Sequence, residues 1–168
     1  MIAVLHALNV ISGTIHGGAL LVFALLLVFR AKIPNVRTED VVRVYRAFGG
    51  GIGLSLGVFI PTELYRHIVG LNAGVALPDA LALHWDTTNH SFLSAKMLIL
   101  FALWVSYVHL EVWTLEPTRG LDKNGSITDR VAYEAAVGGV SRQLSFNAIL
   151  FGSVLVLGAL TQAWPGVA

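Results

Sequence analysis

The chain has 168 residues, 55% of them hydrophobic and only 12% charged, with a mean hydropathy of +0.72 and a formal net charge of +1. Soluble domains carry about 25% charged residues, so a soluble globular fold is excluded and one integral membrane domain, residues 1–168, is expected. The near-zero charge gives no broad attraction to nucleic acid, and the lack of cysteine excludes disulfides, cysteine-ligated iron–sulfur clusters and haem tethered through C-x-x-C-H.

The first helix is expected over about residues 2–29. Its apolar run has no basic leader and is too long for a cleavable signal, so it reads as a span. Arg30, Lys32, Pro34 and Arg37 stop it. Thr38-Glu39-Asp40 has the make-up of a helix start, a capping hydroxyl followed by acids in the first turn. The second helix is expected over about 41–69, kinked at Pro61. Residues 70–89 form a long, semi-apolar loop, in which Leu77 to Trp85 suits a short interfacial helix. The third helix is expected over about 90–116 and is closed by Pro117. A polar loop with turn residues Asn124-Gly125 leads to the fourth helix, about 127–163.

Arg30, Lys32, Arg37, Arg43 and Arg46 gather at the first loop, and Arg119, Lys123, Arg130 and Arg142 at the third. The second loop has only Arg66 and, inside the third helix, Lys96. The positive-inside rule therefore puts loops one and three in the cytoplasm and both termini outside. The expected fold is all-α: a four-helix up-down bundle in the cell inner membrane, multi-pass, surrounded by lipid bilayer.

The stretch from Ala47 to His67 organises the rest. It holds Gly49, Gly50, Gly51, Gly53 and Gly57 in an uncharged run up to Ile60. In water each would cost a helix roughly 1 kcal/mol. In lipid the backbone must satisfy itself, so the helix forms anyway. Gly49, Gly53 and Gly57 then cut a groove that a second helix or a flat cofactor can approach. Helical spacing puts Ile60, Glu63, Leu64 and His67 on the same side.

Polar residues converge at one end. His6, His67, His84 and His90, four of the six histidines, fall at the outer end, as do Glu63, Asp86 and Gln162. His6, Asn9, Gly13, His16 and Gly17 share roughly a 100° arc of the first helix, which should point inward. Two imidazoles from two helices at one depth can ligate haem iron, with the porphyrin slotted where glycines make room. His6 with His67 is the best-matched pair, and His67 with His90 the next. Glu63, one turn before His67, can orient that ring or bind metal itself. The same set of His6, His67 and His90 also suits copper or zinc. The alternative is that these histidines only hydrogen-bond headgroups and water. His16, near mid-membrane, either bonds across helices, with Asn147 or Ser153 as partners, or joins His109 across a depth difference of roughly 5–10 Å. Lys96 either snorkels outward or pairs with a carboxylate such as Glu63 or a haem propionate. Trp85, Trp104, Trp113, Trp164, Tyr65 and Tyr107 sit mostly where an aromatic belt would put them. There is no Walker A motif, and no Ser-His-Asp arrangement stands out.

Three segments carry a resemblance. LHALNVISGTIHGG, with His6 and the Gly17-Gly18 pair, resembles the first helix of the copper-resistance D (CopD) family. SFLSAKMLILFALW resembles its third helix, with Lys96 at the lysine position, and SRQLSFNAILFGSVLVLGALTQAWP is similar to its closing helix. Relatives include four-helix membrane protoporphyrinogen oxidases of the HemJ type, which bind haem b and use a first-helix His and a third-helix Lys. The Arg-Leu-Phe-Val-Tyr-His run that closes the first helix of those oxidases is absent here, where the helix ends LLLVFR. The resemblance covers about half the chain and implies a haem- or copper-handling membrane bundle.

Three functions follow as expectations. The first is a b-type cytochrome-like electron-transfer protein, with haem b near the outer face. Its cofactor-binding residues are His6, His67, Gly53, Gly57, Glu63, Lys96 and His16, and its partner is quinone or a larger respiratory-type complex. The second is copper or other metal delivery through the same cluster. The third is a non-catalytic subunit that docks through its glycine faces.

Overall fold

The computed structural model of the chain describes residues 2–68, 88–123 and 125–163, with side chains over 3–65, 94–123 and 125–160. The expected interfacial segment from Leu77 to Trp85, with His84 and Asp86, lies outside the described residues.

Helix α1 (Ile2–Val28) ends in a 3-10 turn at Arg30–Lys32. Helix α2 (Thr38–Ile68) starts with Glu39 and Asp40 in its first turn, where acids favour the helix dipole. Pro61 lies inside α2 without ending it. Its missing N–H removes the bond to the Gly57 carbonyl. The next residue helps its own turn, as the Thr62 hydroxyl bonds the Val58 carbonyl at 2.7 Å.

Helix α3 (Thr88–His109) runs into a π-helical turn, Leu110–Thr114, and then into a short helix, α4 (Glu116–Leu121). Pro117 does not close the third span as expected. It occupies the first turn of α4, where a missing N–H costs nothing. The last helix starts at Arg130 instead of near 127, because Ser126 and Ile127 are used otherwise. They form β2 (Ser126–Ile127), paired antiparallel with β1 (Asp122–Lys123). Gly125 turns the hairpin at φ +82°, a conformation glycine takes without strain. Helix α5 (Arg130–Ala163) completes the fold.

The four long helices form an antiparallel bundle. Partners step down one helix as they step up the other: Asn9 meets Thr62, His16 meets Ile52 and Phe23 meets Tyr45 across α1 and α2. Lys96 meets Gly158, Ser106 meets Asn147 and Thr114 meets Gly139 across α3 and α5. Helix α1 packs on α2 and α5, and α3 packs on α5, while α2 packs on α3 more sparsely. Leu20, Leu27, Leu56, Leu103, Leu144 and Val137 are sealed inside.

The outside is as apolar as the inside. Leu54, Leu98, Phe101, Ile149 and Val131 are exposed. A soluble monomer does not display such a belt. Four segments, Ala3–Val28, Thr38–Tyr65, Ser94–Leu121 and Arg130–Leu160, are long and apolar enough to cross a membrane. At 1.5 Å per residue each exceeds the ~30 Å hydrocarbon core. This is the make-up of a multi-pass membrane protein.

Candidate functional site

The start of α1 and the end of α5 lie at one end of the bundle, here called the terminal end. The loops joining α1 to α2 and α3 to α5 lie at the other, the arginine end. Near the terminal end, Lys96 of α3 donates to the Glu63 carboxylate of α2. Both side chains are only 3% exposed. An ion pair this dry is costly to desolvate, so its presence among apolar helices marks a functional candidate. Gly158 of α5 lets the ammonium approach, since a Cβ added there would stand only 3.1 Å from Nζ. Asn9 of α1 completes the polar floor by donating Nδ2 to the Phe59 carbonyl at 3.3 Å and to Thr62 Oγ1 at 3.2 Å. A cleft of about 230 Å³ opens beside Asn9, Glu63, Lys96 and Gly158. A second cleft, about 210 Å³, shares Asn9, Phe59 and Leu155 with it and reaches Gly13 and Phe151.

Midway along the bundle His16 is fully buried. Its Nδ1 lies 3.0 Å from the Ile52 carbonyl oxygen. A carbonyl only accepts, so Nδ1 carries the proton and Nε2 of the neutral ring is left with a lone pair. Nε2 has no hydrogen-bond partner among the described residues. Tyr107 and Phe151 flank the ring, at centroid distances of 5.5 and 5.8 Å. Below it the Tyr107 hydroxyl donates to the Gly49 carbonyl at 2.8 Å, and the Tyr45 hydroxyl to Glu111 Oε1 at 3.2 Å.

The arginine end is a lattice of charge. Arg43 grips Asp122 through two bonds, 2.8 and 2.9 Å, and Arg46 adds a third at 3.4 Å, so the hairpin is tied to α2. Arg37 and Arg130 share Glu39. The Arg43 guanidinium holds the Asp122 carboxyl below its ordinary 3.8. The folded value is lower than the unfolded one. The stabilisation is therefore complete above the unfolded value and is lost as pH falls through the folded one. Asp122→Asn should mimic that loss at neutral pH. It should cost about 1.5–3 kcal/mol, the range for hydrogen bonds to a charged group, and flatten the stability-against-pH curve below about pH 4. Thermal unfolding in detergent across that pH range checks both.

The residues singled out from sequence are only partly joined. Glu63 and Lys96 meet, one of the two alternatives for Lys96. The polar arc of α1 points inward at Asn9, Gly13 and His16, but His6, at its edge and near the helix end, is exposed. His67 and His90 lie in described helix, in α2 and α3, with side chains outside the described ones. His16 takes the Ile52 carbonyl, not Asn147, which accepts from Ser106. His109 lies exposed against Trp113 with Thr114 Oγ1 3.1 Å from its Nδ1, away from buried His16. The glycine groove is mostly filled by neighbours: a Cβ at Gly53 would come within 3.2 Å of the Tyr107 hydroxyl, and one at Gly49 within 3.1 Å of Glu111 Oε1. Gly57 stays open and lines an apolar groove of about 360 Å³ with Pro61, Met97 and Trp104. Among residues with described side chains, no three His, Asp or Glu gather as a metal set.

Sequence reasoning missed the Tyr45–Glu111–Tyr107 cluster. Its signal was Glu111 within an apolar span, opposite the glycines of α2. No known protein family, curated protein or solved structure matches the chain. The fold and site define it only as a multi-pass helical bundle with charged and imidazole groups enclosed inside.

Proposed function

We propose that the chain is a membrane-embedded, b-type cytochrome-like redox protein, with both termini on the outer side and haem b held near that face by His6 and His67. One observation carries the reading. The Asn9–Thr62 hydrogen bond fixes the register of α1 against α2. His6 lies three residues beyond Asn9 on α1, and His67 five beyond Thr62 on α2. At 1.5 Å per residue their levels differ by about 3 Å along the axis. Gly13, Gly17, Gly49 and Gly53 leave no slot for a porphyrin, because neighbouring side chains occupy the space at each. The fit is therefore at the rim, where His6 is exposed. Bound there, haem would supply a one-electron couple. The chain's own part is to hold the iron through two imidazoles and to offer Arg66 to the propionates, since Lys96 is taken by Glu63. Quinone or a larger membrane complex is the partner class.

A reduced-minus-oxidised spectrum of protein purified with haem supplied tests this reading. Sharp low-spin bands are expected, lost in His6→Ala and in His67→Ala and kept in His109→Ala. A protein without such bands has some other function.

A further inference from the structure

The polar groups inside the bundle fall at successive heights, and the haem reading uses only those at one end. Near the terminal end are Glu63, Lys96 and Asn9, beside two clefts that share walls and descend to Phe151. Phe151 packs on His16. His16 offers a buried Nε2 with no hydrogen-bond partner among the described residues. Around it stand the Ile52 carbonyl from α2, Tyr107 from α3 and Phe151 from α5, and none of these carries a charge that would fix its protonation. Beyond Tyr107 the hydroxyl of Tyr45 meets Glu111, which is half-buried and 3.7 Å from Arg119 at the arginine end. Buried polar groups in a bilayer are expensive, and files of Asp, Glu and His are how membrane proteins move protons.

We propose that these groups, with water entering the two clefts as the carrier between the first two of them, form a proton-transfer path through the bundle, from the Glu63–Lys96 pair through His16 to the Tyr107–Tyr45–Glu111 cluster. The cargo is the proton alone, so no electron or leaving group has to be supplied. At each step one O–H or N–H bond breaks and another forms. His16 takes the proton on Nε2, stands briefly as imidazolium with Nδ1–H still on the Ile52 carbonyl, and gives an Nε2 proton to the Tyr107 oxygen as the Tyr107 O–H proton passes to the Tyr45 oxygen and the Tyr45 proton to Glu111. The Phe151 ring, between cleft and imidazole, is the element that must swing for the proton to pass.

The proposal rests on the membrane-spanning reading but not on haem. The test uses the full chain in potassium-loaded vesicles carrying an internal pH dye, with valinomycin setting the potential. Resistance to alkaline carbonate extraction establishes insertion in the same vesicles. Wild type should move protons well faster than protein-free vesicles. His16→Gln keeps a donor for the Ile52 carbonyl but cannot become a cation, and should fall to the protein-free rate. Tyr107→Phe keeps the ring packing and should slow the flux, while His109→Gln should not. Inserted wild type that conducts no faster than empty vesicles, or His16→Gln that conducts like wild type, overturns the path. Failure to insert overturns the spanning reading along with it. Loss of the haem bands with flux retained overturns only the haem reading.

Discussion

Lys96→Met is expected to destabilise the protein by about 3–5 kcal/mol, the usual cost of removing one member of a buried ion pair. Glu63 would keep a carboxylate, 3% exposed, beside a cleft lined by Asn9 of α1 and by apolar side chains of α2 and α5. The double variant Glu63→Met/Lys96→Met should be far more stable than either single one. Desolvating two charges consumes most of what their attraction returns, so apolar replacement of both partners is close to neutral or stabilising by about 1–4 kcal/mol. Thermal unfolding of the four proteins in one detergent gives the cycle. If the double variant is no more stable than the singles, the pair is not the energetic unit described above. If it is stable and yet fails in the haem or flux assay, the pair is retained for function.

Gly17→Ala is expected to cost about 1–3 kcal/mol, the usual range for overpacking. A Cβ at Gly17 would run into the Phe151 ring, and Phe151 is held between His16 and Phe59. The neighbouring Gly18 faces open space, so Gly18→Ala should be neutral or stabilise the helix by up to about 1 kcal/mol. The two substitutions make the same chemical change one residue apart, which removes composition as an explanation. Adding Phe151→Leu to Gly17→Ala should recover much of the loss. Equal melting temperatures for the two alanine variants would mean that α1 and α5 do not approach through Gly17.

Much of the architecture was legible because lipid imposes few choices. Four long apolar runs divided by two charged loops and one semi-apolar one leave little besides an antiparallel bundle, and Glu63 and Lys96 were readable as partners because each is an ionisable group in a span at similar depth. The ends of the elements were less legible. A hairpin of two-residue strands has no pattern of its own, and the grip of Arg43 on Asp122 joins residues 79 apart in sequence. Pro117 misled because proline stops a helix in its interior but suits its first turn. The glycines of α2 announced a close approach without saying what approaches. At Gly49 and Gly53 it is Glu111 and Tyr107. His16 hid its partner because a backbone carbonyl leaves no mark in the sequence.

The cross-helix ties sit at three heights, at Asn9 and Glu63, at His16 and Ser106, and at Tyr45 and Asp122. No helix can ratchet one turn, about 5.4 Å, along its neighbour without undoing several ties at once. The seam between α2 and α3 is sparser, tied by Glu63–Lys96 at one end and Tyr107–Gly49 toward the other. The sparsest of the four packed seams is thus also the one with open space beside it, at the apolar groove lined by Gly57.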